Sequence, residues 1–215
     1  MKITINNVSK NIHGSFVLKK VNMELCGGAV YGLLGKNGSG KTMLMRAICG
    51  LITPSEGTIE IDGQVIGKDI SSPSSMGMIL ETPAFLPDRT GFDNLRLIAS
   101  IRREAKLSDI CEALERVGLD ASDRRKVRKY SLGMRQRLGI ACAIMENPSL
   151  LILDEPFNGL DESGCALVQE IICEFRKKGC LIILACHDRT ELESLSDYVY
   201  QVSDGVFSLI RGGEN

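Results

Sequence analysis

The sequence predicts an α/β fold with an inserted helical piece, on three observations. Ala29–Leu34, Leu150–Leu153 and Leu181–Ala185 are continuous apolar runs, the pattern of strands covered on both faces. Lys2–Val8 and Phe16–Leu25 instead alternate apolar with polar residues, as half-buried strands do. From about Phe85 to Met145 the apolar residues recur at helical spacing. Strands alternating with helices, interrupted by a helical block, follow from these patterns.

In chain order, two alternating strands lead into the buried run Ala29–Leu34. A glycine-rich turn then opens a helix near Lys41 that continues through Met43–Gly50. Thr53–Gly57 (TPSEG) is a turn cluster, Thr58–Asp62 alternates again, Ser71–Ser75 (SSPSS) is a loop and Met76–Leu80 a short apolar strand. In the helical block Leu95, Ile98 and Ala99 share one face. Ile110, Ala113, Leu114 and Val117 share another, closed by Gly118 as its C-cap. Leu138, Ala141, Cys142 and Met145 form a third stripe, ended by Asn147-Pro148. Leu150–Leu153 is then a strand, Ser163–Lys178 a helix and Leu181–Ala185 a strand. Tyr198–Val202 and Val206–Ile210 make a hairpin across Ser203-Asp204-Gly205.

At 215 residues, length favours one continuous core over residues 1–215. With 44% hydrophobic and 25% charged residues the chain is too apolar to be disordered. Its 26 Lys+Arg against 27 Asp+Glu argue against a partner bound through phosphate charge alone, so no nucleic acid is expected, nor a polybasic membrane anchor. No apolar run reaches the roughly 20 residues of a membrane span. The opening MKITINNVSK lacks the apolar stretch of a secretion signal, so a cytoplasmic location is expected. The eight cysteines have irregular spacing and no C-x-x-C pair, which reads as reduced thiols used as small apolar side chains.

Gly35-Lys36-Asn37-Gly38-Ser39-Gly40-Lys41-Thr42 matches G-x-x-x-x-G-K-[S/T] in full. Its glycines let backbone N–H groups turn toward a polyanion without obstruction by a Cβ, and the helix that follows aims its positive end at the same phosphates. Lys41 supplies a charge at the β/γ oxygens, and the Thr42 hydroxyl is a Mg²⁺ ligand. Asp154-Glu155 ends the apolar run Leu150–Leu153, the Walker-B arrangement in which Asp154 also holds Mg²⁺. Glu155 is then placed to orient or deprotonate the attacking water, and His187, at the exit of the next apolar strand, to touch the γ-phosphate.

The order of these motifs resembles the ATP-binding cassette (ABC) ATPases, over nearly the whole chain. Tyr130-Ser131-Leu132-Gly133-Met134-Arg135-Gln136-Arg137 occupies the place of the family signature L-S-G-G-Q. Asn158-Gly159-Leu160-Asp161 falls where the D-loop does, and His187 matches the switch histidine. Leu132 replaces the first signature glycine and Met134 the glutamine, as in cassettes of the bacitracin-resistance and lantibiotic-immunity exporter group. Glu81 stands at the Q-loop position in Ile79-Leu80-Glu81-Thr82-Pro83, another mark of that group, and offers a further oxygen to Mg²⁺ or water. The adenine-stacking aromatic is missing near Asn11-Ile12-His13-Gly14, where His13 or Phe16 is the substitute.

The resemblance implies a P-loop NTPase (RecA-like) core with an N-terminal antiparallel β subdomain and an inserted α-helical subdomain, about 85–145, that carries the signature. It implies a head-to-tail dimer, a homodimer or paired cassettes, with each ATP held between one subunit's phosphate loop and the other's Ser131 and Gly133, and Asp161 at the seam. It also implies a separate integral membrane permease, engaged on the cytoplasmic face through the segment around Glu81–Asn94 and performing export. The alternative is a soluble ABC ATPase acting on ribosomes or DNA. The basic run Arg124-Arg125-Lys126, Arg128 and Lys129 reads as a solvated face.

Overall fold

The computed structural model describes residues 1–102 and 104–212. The elements are β1 (Lys2–Ile12), β2 (Ser15–Cys26), β3 (Val30–Leu34), α1 (Lys41–Ile48), β4 (Glu56–Ile61), β5 (Gln64–Val65), β6 (Met76–Ile79), α2 (Gly91–Arg102), α3 (Leu107–Arg116), α4 (Leu132–Ile144), β7 (Leu150–Asp154), α5 (Glu162–Lys177), β8 (Leu181–Cys186), α6 (Arg189–Leu195), β9 (Tyr198–Ser203) and β10 (Val206–Arg211). A short 3₁₀ turn spans Val127–Lys129.

Two sheets organise these elements. The first is antiparallel, in the order β2-β1-β4-β5. The second runs β10-β9-β3-β8-β7-β6, with β9, β3, β8, β7 and β6 mutually parallel and β10 antiparallel at one edge. Its central strands are apolar throughout because both faces are covered. In β7, Leu151 and Leu153 join the core beneath α4 and α5, while Leu150 and Ile152 join the core shared with α1 and the antiparallel sheet. The strand period of two therefore divides one apolar run between two cores. Each fully buried aliphatic chain among them stabilises the fold by about 1.5–3 kcal/mol.

Local chemistry fixes the ends of these elements. The N–H of Gly118 donates to Glu115 O and that of Leu119 to Leu114 O, with Gly118 at φ +71, so α3 closes in a Schellman turn that requires glycine. The β9–β10 turn uses Asp204 (φ +49) and Gly205 (φ +80), the paired positive dihedrals of a type I′ hairpin. At the start of α2 the Thr90 hydroxyl accepts from Asp93 N, and buried Asn94 ties down the incoming loop through bonds to Leu86 and Thr90. Gly77 in β6 lies so close to α4 that a Cβ there would sit 1.8 Å from Ala143 O. Among the described residues, no helix is long and apolar enough to cross a membrane.

Candidate functional site

Parallel strands send all their C-terminal ends to one edge of the sheet, where open α/β folds place their ligands. Four neighbouring strands, β3, β8, β7 and β6, deliver to that edge the Gly35–Gly40 loop, His187, Asp154 with Glu155, and Glu81. The resulting cleft encloses about 810 Å³ and is lined by Lys41, Thr42, Glu81, Asp154, Glu155 and the glycine loop, among others.

The loop is shaped by its glycines. Gly38 (φ +79) and Gly40 (φ +116) hold left-handed backbone, and a Cβ on Gly40 would meet Val17 O at 2.8 Å. Gly205 N donates to Ser39 O at 2.8 Å, tying the loop to the β9–β10 hairpin. No side chain caps α1 and its first turn carries no acid, so its leading N–H groups face the cleft unneutralised. Lys41 Nζ donates to Gly35 O (2.5 Å) and Lys36 O (3.1 Å), which holds the ammonium inside the loop's curve. The Ser39 hydroxyl is buried without a partner, an orphan that a phosphate oxygen would satisfy.

The Thr42 hydroxyl donates to Asp154 Oδ2 at 2.5 Å, across from Lys41. Burial lifts the Asp154 carboxyl above its ordinary range, opposed by the Thr42 bond and the Lys41 charge. A hydroxyl beside a buried carboxylate is an all-oxygen donor set that suits a hard divalent cation such as Mg²⁺.

Glu155 occupies left-handed backbone (φ +50) with its N–H bonded to Ala185 O, so the residue just past β7 is pinned across to β8. Its Oε2 lies 2.8 Å from His187 Nδ1, while Oε1 is buried and unpartnered. Strained backbone, an orphaned oxygen and an exposed imidazole concentrate at this corner of the cleft.

The remaining residues predicted from sequence are placed as follows. Glu81, also left-handed (φ +61), lines the cleft but pairs its carboxylate with Arg46 of α1 at 2.8 Å. His13 sits at the β1–β2 turn (φ +48); of that hairpin Val17 lines the cleft, and neither His13 nor Phe16 does. Ser131 is the N-cap of α4, its Oγ accepting from Met134 N at 3.1 Å. Ser131 and Gly133 line an adjoining cavity of about 660 Å³ with Arg125, Arg137 and Asp161, and Gly159 lines both it and the cleft. Asp161 caps α5 by accepting from Gly164 N and pairs with Arg137 at 2.6 Å; these two contacts hold its carboxyl below its ordinary range. Arg124, Arg125, Lys126, Arg128 and Lys129 line a shallow surface depression, where Arg125 pairs with Asp123 and Arg128 with Asp88.

Sequence reasoning missed one contributor. Gln136 is buried on α4 and donates to Glu155 O and Pro156 O, bracing the turn that carries the acid. A glutamine on the apolar side of a helix was the available signal. Leu132, where the usual pattern has glycine, packs onto Gly159, whose Cβ would sit 2.7 Å from it.

The profile of the ABC transporter family matches residues 18–158. The chain belongs to the ABC transporter family. It is an ATP-binding cassette, the family's ATPase part. It is 44% identical over 203 residues to an uncharacterized ABC transporter ATP-binding protein of Bacillus subtilis, YybJ, covering 94% of this chain and 93% of that one. It is 38% identical over 205 residues to the bacitracin transport ATP-binding protein BcrA of Enterococcus faecalis, covering 94% of this chain and 67% of that protein. It is 35% identical over 216 residues to the lantibiotic transport ATP-binding protein SrtF of Streptococcus pyogenes, covering 99% and 93%. A solved ATP-binding subunit of an ABC transporter superposes with a TM-score of 0.86 at 26% identity, over 98% of this chain and 90% of that one. The dimeric cassette MJ0796 also superposes at 0.86, with 22% identity over 98% and 99%, a likeness of fold.

Proposed function

We propose that residues 1–215 form a single nucleotide-binding domain that hydrolyses MgATP in a head-to-tail pair and drives a separate permease on the cytoplasmic face of a membrane. The observation that carries this reading is the division of the site. Lys41 and Glu155 line one cavity, and Ser131 with Gly133 lines another, so one chain holds two half-sites that a second copy would complete.

In this reading the loop amides and Lys41 bind the polyphosphate, and the Ser39 hydroxyl gains the acceptor it lacks. Thr42 and Asp154 would hold Mg²⁺, with Glu81 released from Arg46 as a further oxygen donor; bound there, the ion neutralises polyphosphate charge. Glu155 accepts the proton of the attacking water, and His187, 2.8 Å away, keeps the carboxylate oriented and reaches toward the γ-phosphate. The γ-phosphate is the group that Ser131 and Gly133 of the other copy would grip. ATP therefore favours the closed pair and ADP does not, which turns hydrolysis into motion.

The bacitracin and lantibiotic transport functions named for two relatives support an exporter, with an antimicrobial peptide or drug as cargo. The segment around Glu81–Asn94, at the cleft's rim, is the proposed contact with the permease. The test is the mass of the Glu155→Gln variant in solution with and without MgATP. A dimer that forms only with MgATP is expected; a monomer at saturating MgATP, alone and with the permease, would overturn the paired mechanism.

A further inference from the structure

We propose that Glu155, Cys186 and His187 form a binding site for a thiophilic divalent cation of the zinc class, and that its occupancy arrests ATP hydrolysis. The inference rests on the ATPase reading for its consequence, but not for its chemistry. The donor atoms of these three residues all lie within 4.8 Å of one another, among the described residues. They are a carboxylate oxygen, a sulfur and an imidazole nitrogen, the donor types zinc prefers and Mg²⁺ does not.

Three side chains from two strand ends converge here because β7 and β8 are neighbours in register, with Asp154 opposite Ala185. Glu155 follows directly after the first strand, and Cys186 ends the second. Two of the donors already meet, Glu155 Oε2 and His187 Nδ1 at 2.8 Å. The second carboxylate oxygen, Oε1, is buried and lacks a partner. Asp188 N donates to Cys186 Sγ at 3.4 Å, and burial lifts the thiol to about 12, so the metal itself must displace its proton. Glu191 Oε2 stands 3.6 Å from the same sulfur and is the acceptor the thiol now uses. Zinc holds sulfur at about 2.3 Å and nitrogen or oxygen at about 2.0–2.2 Å, so donors that lie within 4.8 Å of one another must draw in around the ion, with the exposed His187 ring the side chain that has room to move. In the binding step the Cys186 S–H bond breaks, a sulfur–metal bond forms and the proton leaves to water.

Occupancy would engage the two groups that hydrolysis needs free, the carboxylate that accepts the water's proton and the imidazole beside it. The spacing of the cysteines in sequence gives no hint of this, because the site takes one cysteine and borrows the other ligands from the catalytic corner.

The test uses the full chain. Zinc binding is read without nucleotide by competition with a chromophoric chelator, cobalt(II) serves as a spectroscopic stand-in, and ATP hydrolysis is followed in MgATP at buffered free zinc. One zinc per chain, a thiolate-to-cobalt charge-transfer band and inhibition reversed by chelator are expected. Cys186→Ala and Cys186→Ser, each normalised to its own zinc-free rate, should raise the midpoint of inhibition at least about tenfold and remove the band. An unchanged midpoint in these variants, or cobalt bound without the band, overturns the site. Stoichiometry and cobalt spectra of the wild type decide the matter should either variant misfold. Zinc bound through Cys186 in a chain that never hydrolyses ATP would leave the site standing and remove the enzyme reading. A chain that hydrolyses ATP and ignores zinc does the reverse.

Discussion

Gly77→Ala measures how tightly the signature helix is seated on the sheet. A Cβ at Gly77 would lie 1.8 Å from Ala143 O and 2.7 Å from Ala143 C, against an ordinary contact of 3.4 Å or more. The gap is short by about 1.6 Å, and the obstructing atoms are backbone in the last turn of α4, so no rotamer change relieves it. Overpacking of this kind costs up to about 3 kcal/mol, offset by about 0.4–1 kcal/mol because alanine restricts the unfolded chain. The expected net loss is about 2 kcal/mol, which for a chain of this length lowers Tm by roughly 4–8 °C. Urea denaturation followed by circular dichroism reads the first quantity and calorimetry the second. If the chain folds by moving α4 away from β6, Ser131 moves with it, and ATP turnover should fall further than nucleotide binding. A stability change under about 0.5 kcal/mol would show that the helix is not held against Gly77 and would refute the packing described here.

Further perturbations address the cleft. Lys41→Ala should abolish nucleotide binding in a labelled-ATP titration, since it removes the ammonium that Gly35 O and Lys36 O hold inside the loop. Glu155→Gln should retain ATP binding and lower turnover by roughly 10²–10⁴-fold in a phosphate-release assay, the range for loss of a general base. For Asp161, bonds from Gly164 N and Arg137 hold the folded pKa below its ordinary 3.8, so its stabilisation is complete above that value and fades as pH falls through the folded one. Acid titration of stability should therefore separate wild type from Asp161→Asn near neutrality and bring them together in strong acid.

Much of this molecule is legible in its residues, and the reasons differ by element. The strands β3, β7 and β8 announce themselves because a strand inside a parallel sheet has no solvent face on which to place polar residues. The Gly35–Thr42 loop is legible because no other residue types give the same backbone concavity with a charge behind it. Helix α3 is legible to its last turn, since Gly118 at φ +71 is a stop that few residues tolerate. Strand order is different. Nothing in the local pattern says that β3 lies between β8 and β9, because that order comes from crossovers that bury both faces at once. Side-chain pairings between distant segments were also hidden, as with Arg46 and Glu81, whose chemistry is ordinary and whose proximity is not. The start of α2 at Gly91 rather than near Phe85 depends on Asn94 folding the preceding loop back on itself, a contact with no periodic trace.

Ser131 spends one lone pair on the amide of Met134 and still has a proton to give. In the proposed pair a single hydroxyl would keep a helix wound while recognising a neighbour's fuel, two tasks that ask opposite things of charge. An aspartate would wind the helix as well and repel the triphosphate. Ser131→Asp should accordingly produce a fully folded cassette that binds nucleotide at its own loop yet never docks with its twin, a ready-made tool for separating capture from closure.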